Sequence, residues 1–127
     1  MMTTATEEIT CPRFYVVMGG KDGRTPVIAE DEAVWAAWYN SVSWQAQMVA
    51  NTWIGPYRIA TEARSILGSR DEAPFETTIV RCTCDDDEAA FMPVRTWRSR
   101  SWEDAERQHR LACEWLTAFT AAHHAVR

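Results

Sequence analysis

A strand pair that runs directly into a long amphipathic helix is the feature that most limits how this chain can fold. Two β-like runs, Phe75–Thr83 and Phe91–Arg98, precede a helix signal at Ser101. Ser101-x-x-Asp104 resembles a capping box with Asp in place of the usual Glu, and Trp102 falls in the first turn. Ala105, Ala112, Trp115, Leu116 and Phe119 then form an apolar stripe at helical spacing. Glu103/Arg107 and Glu106/Arg110 read as i,i+4 pairs on the wet side, each contributing ~0.3 kcal/mol. A helix with one apolar stripe needs a sheet face to cover.

The upstream half supplies more strands. Cys11–Met18 is rich in Phe, Tyr and Val, which suit a pleated surface. Gly19-Gly20 and Lys21-Asp22-Gly23 turn the chain toward a short return strand, Thr25–Ala29. Glu30, Asp31 and Glu32 place negative charge at the start of a helical pattern over Asp31–Asn40. Trp44–Trp53 and Tyr57–Leu67 alternate on either side of Ile54-Gly55-Pro56, the pattern of a hairpin with one wet face. Gly68–Pro74 reads as a polar loop.

The expected fold is α+β, one domain over residues 1–127 with 1–10 flexible. A mostly antiparallel sheet of four or five strands carries a short helix, Asp31–Asn40, and a long one, Ser101–Ala121, on one face. Trp38, Trp44, Met48, Ile59, Ile79, Trp115, Leu116 and Phe119 are the expected core. Replacing Trp115 or Phe119 with Ala is expected to cost ~3–5 kcal/mol.

Charge narrows the function. The formal net charge is −5, which disfavours nucleic acid as a general partner, because phosphate binding needs cations. Lys21 is the one Lys among 13 basic residues; a GC-rich coding sequence accounts for that bias, although Arg also suits fixed, bidentate contacts. No apolar run approaches the ~20 residues needed to span a bilayer, so no membrane partner is expected. No basic segment followed by an apolar run opens the chain, and an intracellular protein with reduced thiols is expected.

Chemical motifs are weak. Cys82-x-Cys84 has one residue between its thiols and no second pair, unlike structural zinc sites. His123 and His124 diverge by about 100° on a helix and do not chelate together. His109 and Cys113 share a helix face, but a nucleophile–base pair also needs an orienting group and an oxyanion site, and neither is legible. Gly19-Gly20 and Gly23 lack the Gly-Lys-Ser/Thr ending of a phosphate loop. No enzyme activity, cofactor or metal is expected.

Binding is better signalled. Arg95–Trp102 is the densest cationic and aromatic segment, and Arg and Trp are enriched at interaction hot spots. Arg58, Arg64, Arg81 and Arg95 recur at polar or mixed strand positions. The expected binding set is therefore Arg95, Trp97, Arg98, Arg81, Arg58 and Arg64, on the sheet face away from the helices. A second candidate is the acidic hairpin tip Asp85, Asp86, Asp87 and Glu88, which would face a basic partner.

The ordered elements Tyr15–Val17, Thr25-Pro26-Val27, Val34–Tyr39, Ile54-Gly55, Tyr57–Thr61, Pro74–Val80 and Ser101–His109 together resemble a family of small hypothetical proteins of tailed bacteriophages and prophages. The chain departs from that pattern in its longer hairpin tip, Cys82–Ala90, and in Thr120–Arg127. The resemblance implies a phage origin and action in the cytoplasm of a bacterial host. The expected role is a non-enzymatic inhibitor of a bacterial defence complex, anti-CRISPR-like in mode, working through protein–protein contacts with a host or phage complex. A minor virion or assembly protein is the alternative and a nucleic-acid-binding accessory protein the third; a homodimer is compatible with each.

Overall fold

The computed structural model describes residues 13–42, 44–82 and 91–125. Among the described residues, seven strands and two α-helices follow in the order β1 (Phe14–Gly19), β2 (Thr25–Ile28), α1 (Glu32–Ser41), β3 (Met48–Ile54), β4 (Tyr57–Ala63), β5 (Ile66–Leu67), β6 (Phe75–Cys82), β7 (Phe91–Ser99) and α2 (Trp102–Ala125), with a 3-10 turn at Trp44–Gln47. The class is α+β. The strands divide into two antiparallel sheets, β2-β1-β5 and β3-β4-β6-β7.

Local chemistry sets the turns and caps. Gly20 and Gly23 both take positive φ in the β1–β2 connection. A Cβ on Gly20 would lie 2.9 Å from the Thr25 hydroxyl oxygen, so the β1–β2 return requires glycine there for space as well as for φ. Gly55, at φ 57°, opens the two-residue turn between β3 and β4. Asp31 caps α1 by accepting from the Val34 N–H at 2.9 Å, and Ser101 caps α2 by accepting from the Asp104 N–H at 3.1 Å. On the first turn of α2 the ion pair formed is Arg107–Asp104, i,i+3 at 2.7 Å.

The division into two sheets departs from the single sheet expected of the sequence. β4 stops at Ala63, where the Arg64 N–H donates to the Pro74 carbonyl at 2.7 Å. The Val16 N–H then donates to the Ser65 carbonyl at 2.8 Å, and Ile66–Leu67 pairs with β1. Two residues thus hand the chain from one sheet to the other.

α2 alone lies across the four-stranded sheet and contacts all four strands, whereas α1 packs on β1. The expectation that both helices cover one sheet is corrected accordingly: α1 has no buried residue and packs mainly on β1, with Trp38 reaching the cluster shared with Ala63 and Phe75.

The core has two centres. Met18, Ala63, Phe75 and Ala105 form one, with Trp38, Val49 and Trp102 against it. Ile59, Ile79, Ala112 and Leu116 form the other, with Trp97 and Trp115 at its edge. Of the expected core, Ile59, Ile79 and Leu116 are fully buried; Trp38, Met48, Trp115 and Phe119 are half-buried. The Trp44 side chain, the segment 1–10 and the tip Asp85–Glu88 lie outside the described residues. Phe75, Ala105 and Ala112 are central though outside the expected core set; the helical stripe already included the two alanines, which let α2 approach the sheet closely.

Candidate binding surface

The register of the four-stranded sheet assigns each side chain to a face. Tyr57, Ile59, Thr61 and Ala63 of β4 align with Arg81, Ile79, Thr77 and Phe75 of β6, and these carry the buried, α2-facing side. The opposite face carries Asn51 and Trp53 of β3, Arg58, Ala60 and Glu62 of β4, Glu76, Thr78 and Val80 of β6, and Thr96 and Arg98 of β7. None of these is buried among the described residues.

Trp53 is the largest apolar side chain on that uncovered face, at 56% exposure. Its cross-strand neighbour is Arg58, whose Nε–H donates to Asn51 Oδ1 at 2.9 Å. That bond holds the guanidinium over β3 rather than leaving it free in solvent. Small side chains, Ala60, Thr78 and Thr96, keep the middle of the face low.

The other end is a charge network. Arg98 reaches Glu72 at 3.0 Å and Glu76 at 3.2 Å, while Arg64 lies 3.4 Å and 3.8 Å from the same two carboxylates. The Arg98 hydrogen bond, then the Gly68 N–H, hold the Glu72 carboxyl below its ordinary value. Two cations facing two anions cancel, so this end is polar and pre-arranged rather than strongly positive. Next to it a groove of about 470 Å³ runs between β7 and α2, lined by Arg98, Arg100, Arg107 and Leu111 among others.

The six arginine and tryptophan residues expected from the sequence are therefore split. Arg58 and Arg98 share the uncovered face, with Arg64 at its end. Arg95 and Trp97 align with Ile79 and Thr77 and belong to the α2 side. There the Arg95 guanidinium lies 4.8 Å from the Trp97 ring and 4.9 Å from the Trp115 ring, and Trp115 stacks on Phe119 at 5.2 Å. This cluster closes the end of the helix–sheet interface through packing and cation–π attraction. Arg81, paired with Tyr57, also belongs to the α2 side. One shared Arg/Trp surface is thus corrected to two separate groups. The physical reason is strand alternation in this register: Arg95 and Trp97 pair with the buried-side Ile79 and Thr77, whereas Arg98 pairs with Glu76 and Arg58 with Val80 on the opposite face. Trp53 was missed, yet its signal was present: a two-residue turn at Gly55-Pro56 places Trp53 opposite Arg58.

Under α2 lies a buried polar chain. His109 Nδ1 is 2.8 Å from the Thr61 hydroxyl, His109 Nε2 is 2.8 Å from the Thr52 hydroxyl, and Thr61 is 2.7 Å from Thr77. Burial lowers the His109 pKa from 6.5, and burial raises that of the neighbouring Cys113. Both shifts run against a thiolate–imidazolium pair, which needs a depressed thiol and a basic imidazole. The arrangement serves to satisfy polar groups within the helix–sheet interface.

No three His, Cys, Asp or Glu side chains converge as metal ligands among the described residues, and Cys84 lies outside them. No described helix is long and apolar enough to cross a membrane. No protein-family model matches the chain, and neither a curated protein nor a solved structure matches it.

Proposed function

We propose that this chain is a non-enzymatic binding protein that docks a protein partner on the uncovered face of its four-stranded sheet. The observation that carries the reading is Trp53, 56% exposed on that face beside an Arg58 fixed by Asn51. Tryptophan and arginine are the side chains that most often anchor protein interfaces, because each buries a large surface at a modest ordering cost. Arg58, Arg64 and Arg98 are matched by Glu62, Glu72 and Glu76 around the face. A partner with mixed charge and an apolar recess for Trp53 suits that balance better than a polyanion does.

The likeness to small phage proteins directs the partner toward a bacterial defence complex, inhibited in the host cytoplasm; a minor virion or assembly role is the second reading. Expression in hosts with active immune systems, followed by phage challenge, separates them. Wild-type protein is expected to restore plaque formation and Trp53→Ala to lose that effect, while Arg81→Ala, on the other face, retains it. Unchanged immunity across all systems tested removes the inhibitor reading. Detection of the chain in purified virions replaces it with the assembly role.

A further inference from the structure

β3 stands apart from the other sheet edges. An open edge exposes backbone donors and acceptors, and proteins guard edges with charge, proline, bulges or brevity. β2 carries Pro26, β5 has two residues, and β7 carries Pro93, a bulge at Val94, Arg95 and Arg98. β3 reads Met-Val-Ala-Asn-Thr-Trp-Ile, without charge or proline. Its one irregularity lies between Met48 and Ala50, so Ala50–Ile54 is a regular, unguarded edge.

The direction of its backbone groups follows from two bonds on the far side of β4. The Cys82 N–H donates to the Pro56 carbonyl and the Arg64 N–H to the Pro74 carbonyl. The even residues of β4 therefore bond to β6 and the odd ones, Tyr57, Ile59 and Thr61, bond to β3. Their partners Ile54, Thr52 and Ala50 point inward. The N–H and C=O groups of Asn51 and Trp53 consequently point outward, and neither residue's main chain has a bond among the described residues.

We infer that β3 pairs antiparallel with β3 of a second copy of this chain, about a two-fold axis at Thr52. In that register Asn51 of one copy faces Trp53 of the other, and all four outward groups of each copy find partners. β3 itself carries no charge, and the nearest cation, Arg58, is held by Asn51 of its own chain. Asn51 and Trp53 also lie side by side on the uncovered face, so each indole would cover an amide of the opposite copy. The two four-stranded sheets would join into one eight-stranded sheet with a continuous open face. This inference stands apart from the docking proposal, because oligomeric state and host immunity are read separately.

Sedimentation equilibrium over a wide concentration range, together with amide hydrogen exchange, tests it. Wild-type protein is expected to dimerise, with the Asn51 and Trp53 amides protected in the dimer. Asn51→Pro removes one outward donor without touching an inward bond, and Trp53→Lys places charge on the edge; each is expected to weaken the dimer by roughly tenfold or more. Far-UV spectra matching the wild type show that both variants remain folded. A wild-type monomer at every concentration overturns the inference, as does a dimer whose Asn51 and Trp53 amides exchange freely or one that both folded variants retain at full strength.

Discussion

Thr61 of β4 and His109 of α2 share a 2.8 Å hydrogen bond across the helix–sheet interface, with both side chains buried. The imidazole joins helix to sheet twice, since its other nitrogen reaches Thr52 at 2.8 Å. Such a chain of buried groups is secure only while every member is paired.

That pairing makes stability depend on pH in a defined direction. Burial lowers the His109 pKa below 6.5 in the folded state. The unfolded chain then takes up its proton near 6.5 while the folded chain does so only at lower pH. Within that window the unfolded state holds more protons, so stability is complete above 6.5 and falls as pH drops toward the folded value. Thermal midpoints across this window are expected to decline for wild-type protein and to decline less for His109→Gln. Equal slopes would remove His109 as the cause.

Thr61→Val keeps the shape of the side chain but leaves His109 Nδ1 and the Thr77 hydroxyl without their partner. A loss of about 1–3 kcal/mol is expected in denaturant unfolding. The double variant Thr61→Val/Thr77→Val is expected to lose less than the sum of the two single changes, because the second removes a group already stranded.

Phe75 is fully buried whereas Phe119 is half-buried against Trp115. Phe75→Ala is expected to cost about 3–5 kcal/mol, and Phe119→Ala clearly less, because water can fill part of the space left by a partly exposed ring. Equal losses in the midpoint would contradict this placement of the core.

Arg95→Ala removes the cation between Trp97 and Trp115. A fall in stability of about 0.5–2 kcal/mol with altered tryptophan fluorescence is expected. Binding through the uncovered face should survive, since Arg95 belongs to the other side of the sheet. Loss of partner binding without loss of stability would return Arg95 to the interface.

Gly20 and Gly23 both have positive φ, but only Gly20 has a close neighbour, with a Cβ meeting Thr25 at 2.9 Å. Ala at either position is expected to cost about 1 kcal/mol from backbone strain. The Gly20 variant is expected to be the less stable of the two in parallel unfolding curves.

The sequence by itself determined what nearest neighbours decide. Ser101 caps α2 because a hydroxyl just before an apolar period meets an unpaired N–H three residues on. Gly55-Pro56 turns β3 into β4 because the turn needs only its own backbone conformation. The fully buried Ile59, Ile79 and Leu116 were legible from alternation and helical spacing, and so was the α+β class. Tertiary structure decided the rest. Alternation gives two faces to β7 without saying which one meets α2, and the pairing of β7 with β6 put Arg95 and Trp97 under the helix while leaving Arg98 outside. The pairing of Ile66–Leu67 with β1, which splits the strands into two sheets, joins segments some fifty residues apart. Trp53 became the exposed tryptophan of the open face, and β3 an edge without charge or proline, only once α2 lay across the opposite face and no described strand lay beyond β3. These outcomes depend on long-range packing, in which a face is chosen by what covers it, and no local pattern carries that choice.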